Sequence, residues 1–170
     1  DYHKVQFFYE QPAQLGLFGR LTTTLEAGKT FNPVPLQLLN IVPGNQTFFT
    51  SRKLFDLLNY YEFITDEYVS LHLEHNFNGK LFSRIPVLRE LNWREIVGIR
   101  GVIGGISQAN RDINASDIVY VAPENVYWEY HFGIGNIFKL FRVDFQYRGS
   151  YRDTPGTTNF AVKVGLGFYF

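Results

Sequence analysis

The sequence predicts an all-β fold, an antiparallel transmembrane β-barrel with about seven or eight strands present. Three observations predict it: strict two-residue alternation of apolar side chains, an aromatic-rich composition, and connections that alternate between short and long. The 170 residues include 17 Phe and 11 Tyr, yet the formal net charge is zero. Side chains two apart in a strand share a face, so alternation marks a strand with one apolar and one polar side.

Seven segments carry the pattern. In 3–10, Val5, Phe7 and Tyr9 oppose Lys4, Gln6 and Glu10. In 16–31, Leu17, Leu21 and Leu25 oppose Arg20, Thr22, Thr24 and Glu26. In 66–79, Val69, Leu71, Leu73 and Phe77 oppose Ser70, His72, Glu74, Asn76 and Asn78. Segment 92–107 sets Val97, Ile99 and Ile103 against Arg94, Gly98, Arg100 and Gly104, with Ile96 and Val102 as exceptions. In 126–134, Val126, Trp128, Tyr130, Phe132 and Ile134 oppose Tyr127, Glu129, His131 and Gly133. In 139–151, Phe141, Val143, Phe145, Tyr147 and Tyr151 oppose Arg142, Asp144, Gln146, Arg148 and Ser150. Segment 159–170 runs Phe160, Val162, Val164, Leu166, Phe168 and Phe170 against Ala161, Lys163, Gly165, Gly167 and Tyr169. Its length suffices to cross a bilayer core as a tilted strand. A chain ending on an aromatic in such a strand resembles bacterial outer-membrane barrels, with Phe168 and Phe170 as the C-terminal barrel signal.

Composition excludes several classes. A helical membrane protein needs apolar runs of about 18 residues, and the sequence has none. Barrels hide their hydrophobicity in alternation, so a slightly negative mean hydropathy fits. Without a basic cluster, nucleic acid is not expected as a partner. Cysteine is absent, so there is no disulfide framework. No leader opens the chain and methionine is absent, which implies a removed leader or a piece of a longer chain. Residues 1–170 read as one barrel region.

Outer-membrane barrels have short periplasmic turns, longer extracellular loops and a periplasmic C-terminus. Counting back from Phe170 puts 152–158, 108–124 and 32–65 outside, and 135–138, 80–91 and 11–15 inside. With seven strands the first residue emerges outside, whereas single-chain bacterial barrels have even strand numbers. An open sheet edge in hydrocarbon is prohibitive. The expectation is therefore the C-terminal part of a larger barrel of about 16 strands. The rival is an eighth strand within 45–64 that closes a small barrel.

The stretch Asn59-Tyr60-Tyr61-Glu62-Phe63, then Asp66-Glu67-Tyr68-Val69-Ser70, Glu74-His75-Asn76-Phe77-Asn78-Gly79, Ile85-Pro86 and Trp93-Arg94-Glu95 carries a resemblance. It resembles an uncharacterised Bacteroidetes outer-membrane family, which joins an N-terminal carboxypeptidase-regulatory-like domain to a C-terminal β-barrel. The resemblance covers roughly residues 16–107 and brings no catalytic residues. A looser, topological similarity is to the outer-membrane assembly and secretion barrels of the bacterial surface antigen superfamily. Their sixth extracellular loop folds into the lumen, and 32–65 occupies that place. It lacks the Arg-Gly pair of that loop's tip.

On this assignment His72, Glu74, Arg94, Arg100, Glu129, His131, Arg142, Asp144, Arg148 and Lys163 face the lumen as a charged network. A metal site made of His72 and Glu74 with Glu129 and His131 is not expected, because the two strands are separated by a third at about 10 Å. No nucleophile elbow, phosphate loop or zinc spacing appears, so neither an enzyme nor a cofactor is expected. Loop 32–65 is too apolar for a disordered segment, and Tyr60, Tyr61 and Glu62 are expected to plug the lumen against Arg94 or Arg100. In 80–91, Leu81, Phe82, Ile85, Leu88 and Leu91 recur at helical spacing around Pro86, which predicts one short amphipathic turn at the inner rim.

The expected location is the bacterial outer membrane, with lipid and lipopolysaccharide as surroundings and other envelope proteins as partners. The leading reading is a scaffold or assembly-type barrel. A gated channel or nutrient-uptake receptor and a soluble lipocalin-like barrel are the alternatives.

Overall fold

The computed structural model describes residues 1–114 and 121–167. Its main element is one antiparallel sheet of seven strands: β1 (His3–Gln14), β2 (Arg20–Phe31), β5 (Glu67–Asn76), β6 (Arg94–Gly105), β7 (Tyr127–Ile137), β8 (Phe141–Arg148) and β9 (Phe160–Leu166). They lie side by side in that order. A two-stranded ribbon, β3 (Asn40–Ile41) with β4 (Ile64–Thr65), closes the base of the long connection between β2 and β5. Helices α1 (Pro86–Leu91) and α2 (Gln108–Ile113) are short and sit in connections. The fold is all-β.

All seven predicted strands are present, with shifted ends. β1 runs on to Gln14, which pairs with Arg20, and Pro12 lies within it opposite Thr22. The first turn therefore falls at 15–19 rather than 11–15. β7 continues to Ile137 through an irregularity between Ile134 and Ile137. Phe168 and Phe170 lie outside the described residues.

The segment 45–64 does not supply an eighth strand to the main sheet. The sheet is open among the described residues, with β1 and β9 at opposite edges. The outer edge of β9 is instead bridged by the long connection. The Val164 amide donates to Phe48 O and the Thr50 amide to Val164 O, each at 2.9 Å.

Register aligns the side chains into rows across the sheet. Val97, Phe132, Phe145 and Val162 form one row, and Ile99, Tyr130, Tyr147 and Phe160 another. The opposite face carries His72, Arg100, Glu129 and Arg148 in a single row. Burial on the two faces is the reverse of a water-soluble sheet. Val97, Ile99, Tyr130, Phe132, Tyr147 and Val162 are 37–47% exposed, while Arg100, Glu129, Asp144, Gln146, Arg148 and Lys163 are at most 4% exposed.

The long connection covers the polar face. Val42, Phe55, Leu58 and Phe63 from it pack with Val102 and Tyr127. This explains Val102, which broke the alternation: it lies on the polar face under an apolar part of the loop. Ile96, the other exception, is also on that face and 1% exposed. A second cluster of Val34, Leu39 and Ile64 with Ile106 and Ala122 ties the loop base to the connection after β6.

Candidate functional site

The site is the seam between the polar face and residues 45–62. Asp56 is its hub. This residue stands in the apolar run Leu54-Phe55-Asp56-Leu57-Leu58, and turning that run onto the sheet carries the carboxylate down with it. A buried carboxylate must be paired and hydrogen-bonded to be tolerated. Asp56 Oδ2 accepts from Arg100 Nη1 at 3.1 Å, Thr50 Oγ1 at 2.7 Å and Gln146 Nε2 at 2.9 Å. Its Oδ1 accepts from Asn45 Nδ2 at 2.6 Å, with Lys163 Nζ at 3.8 Å.

The sheet also holds the loop backbone. Glu129 accepts from the amides of Asp56 at 2.8 Å and Leu57 at 2.9 Å, and from the Tyr127 hydroxyl at 2.5 Å. Arg148 donates to Leu57 O at 3.2 Å and pairs with Glu62. Lys163 donates to Asn45 O at 2.5 Å. Arg100 donates to Ser51 O at 3.1 Å and to Leu54 O. His72 Nδ1 meets Arg52 O at 3.0 Å, and its ring packs edge-on to Phe55. Each long cationic side chain thus ends on a loop carbonyl or carboxylate.

A second cluster lies further along the face. Arg142 pairs with Glu74 at 2.7 Å and with Asp144 at 2.7 Å, and donates to His131 Nε2 at 3.1 Å. Because arginine can only donate, His131 Nε2 is the acceptor. Glu74 and His131 stand 3.6 Å apart, although β6 separates their strands. This corrects the expectation of about 10 Å. Gly98 of β6 lies between them, and a Cβ there would collide with Cε1 and Nε2 of the His131 ring, so the imidazole can reach across the strand only over a glycine. Gly133 does the same for the Asp144 carboxylate. Backbones two strands apart are about 10 Å from each other, but side chains that reach over a glycine close that gap.

Arg94 pairs in register with Gly135 at the end of β6, away from the Asp56 hub. Of the expected plug residues, only Glu62 reaches the network, and it meets Arg148 rather than Arg94 or Arg100. Tyr60 and Tyr61 point outward, at 54% and 69% exposure. Tyr61 sits in a left-handed turn at φ 59°, which carries its ring away from the sheet. Sequence reasoning missed Asp56, Asn45, Thr50 and Gln146. A lone acid inside an apolar run was the available signal for the first.

The loop base has its own polar tie. Asp66 Oδ2 accepts from the Ser107 amide at 2.8 Å and from Asn110 Nδ2 at 2.7 Å. Partial burial pushes this carboxyl up, but the hydrogen bonds from Ser107 and Asn110 outweigh it and hold the group below its ordinary value.

Chemically, these clusters hold structure together. Every charge in them is committed to a partner of opposite sign or to a backbone group. Among the described residues, no group of three or more His, Asp or Glu could hold a metal ion.

Comparison with known proteins adds one match. A family model described as "Family of unknown function (DUF5686) C-terminal domain" matches residues 1–105. No curated protein and no solved structure matches the chain. The match spans β1 through β6 and includes the whole long connection with its Asp56 hub, so the chain belongs to the DUF5686 C-terminal domain family.

Proposed function

We propose that this chain is the C-terminal part of a transmembrane β-barrel in a bacterial outer membrane, of scaffold or assembly type, with residues 32–65 lodged in its lumen. One observation carries the reading: the sheet exposes its apolar face and buries its charged face. In water that arrangement leaves a broad apolar surface uncovered, which soluble monomers avoid. In a bilayer it is the expected arrangement, lipid outside and polar groups within. The aromatic ladder Trp128–Tyr130–Tyr147–Phe160, with centroids 4.9–5.7 Å apart, fits an interfacial girdle at one rim. The resemblance to Bacteroidetes outer-membrane proteins with a carboxypeptidase-regulatory-like domain belongs to the same proposal. So do the periplasmic placement of the C-terminus and the absence of catalysis.

The buried loop favours a plugged barrel over an open channel. Refolding the full-length protein into lipid vesicles and floating them on a density gradient tests the reading. The chain should float with lipid and resist extraction by carbonate. A chain that stays monodisperse in buffer without detergent would point to the lipocalin-like alternative instead. Deleting 45–64 should raise conductance in planar bilayers if the loop closes the lumen. Unchanged conductance would leave it a surface loop.

A further inference from the structure

The two ends of the sheet differ in charge. The connections 15–19, 77–93 and 138–140 share one end and carry Lys80, Arg84, Arg89 and Lys139 against Glu90. The described connections at the other end carry Arg52, Lys53, Arg111 and Arg152 against Asp66, Asp112, Glu124 and Asp153, while Asp56 and Glu62 of the same connections turn in onto Arg100 and Arg148. The basic end is also apolar at its tips: Leu17 is 86% exposed, Val87 70% and Phe138 88%. Cations interleaved with exposed apolar side chains match an interface with anionic headgroups above and acyl chains beside.

A cavity of about 690 Å³ opens at this end, between the α1 connection and the β7–β8 turn. Arg89 and Lys139 border it from the two sides, with Glu90 as the acid among its lining residues, and Trp93, Leu91 and Phe138 supply apolar wall. We propose that this cavity binds the headgroup of an anionic phospholipid, with its phosphate between Arg89 and Lys139 and its upper acyl chain against Phe138 and Leu91. The proposal rests on the membrane reading above. It names the lipid class that one rim would select.

Residues 1–170 hold two tryptophans and Trp93 borders the cavity, so the quenching lost on Trp93→Phe is the cavity signal. The full-length protein, with and without that change, is reconstituted in phosphatidylcholine vesicles containing brominated phosphatidylglycerol or brominated phosphatidylcholine. Bromine quenches only an indole in contact with the labelled lipid. Phosphatidylglycerol should quench Trp93 more strongly at equal mole fraction. Arg89→Ala and Lys139→Ala should each lower its relative affinity about fivefold, the worth of one cation near an anionic surface. Arg89→Lys should keep most of it. Equal quenching by both lipids in the unaltered rim would overturn the headgroup site and leave the membrane reading standing. A preference abolished by millimolar inorganic phosphate would overturn the lipid assignment in favour of a free-phosphate site. No quenching by either lipid would overturn both.

Discussion

Asp56 of the long connection and Arg100 of β6 form an ion pair at 3.1 Å with side-chain exposures of 0% and 4%. Thr50, Asn45 and Gln146 complete the hydrogen bonding of the carboxylate. The pair pins the loop to the sheet, as Arg148 with Glu62 does further along. Removing one partner of such a pair leaves the other charge buried alone.

Asp56→Ala should therefore cost about 3–5 kcal/mol of stability in lipid, read from denaturant unfolding in vesicles. Asp56→Ala combined with Arg100→Met should cost clearly less than the sum of the two single changes, because the orphaned cation is gone. Additive costs would mean that the two side chains do not pair.

Gly98→Ala should be destabilising by about 1–3 kcal/mol, since its new methyl group must displace the His131 ring or the strand. Gly105→Ala is the control on the same strand. Its Cβ would meet Glu67 atoms at 3.7 Å and 3.9 Å, ordinary van der Waals contact. The melting temperatures of the two variants should differ in that order.

The tie at Asp66 predicts a pH dependence with a defined sign. Its folded-state value lies below the ordinary 3.8. The stabilisation is complete above that ordinary value and is lost as pH falls through the depressed folded value. Asp66→Asn should lower stability at neutral pH, and the gap to the unaltered chain should close in strong acid. A gap constant across that range would show that the charge on Asp66 plays no part.

Much of this architecture was legible in the sequence, and the exceptions have physical causes. Val69, Leu71, Phe132, Phe145 and Val162 alternate cleanly because each faces one uniform environment, so period two marked their strands. The distal half of β1 was not legible, because Gln11, Pro12 and Ala13 have no apolar partner to alternate with. Ile96 and Val102 broke the pattern because the buried polar face is apolar in places. Neither the Asp56 hub nor the meeting of Glu74 with His131 could be read from spacing. The first depends on how a loop folds back over the sheet, and the second on side chains crossing a glycine.

The apolar face of the proposed barrel should meet lipid. Residues 1–170 contain no cysteine, so in the full-length protein, cleared of any cysteine elsewhere, single cysteines can be placed along β7 from 127 to 134 and spin-labelled in vesicles. Power saturation then compares oxygen, which partitions into hydrocarbon, with a water-soluble nickel chelate. Oxygen accessibility should peak at 128, 130, 132 and 134, with the chelate excluded there. Free access of the chelate to 130 and 132 would contradict a lipid-facing sheet.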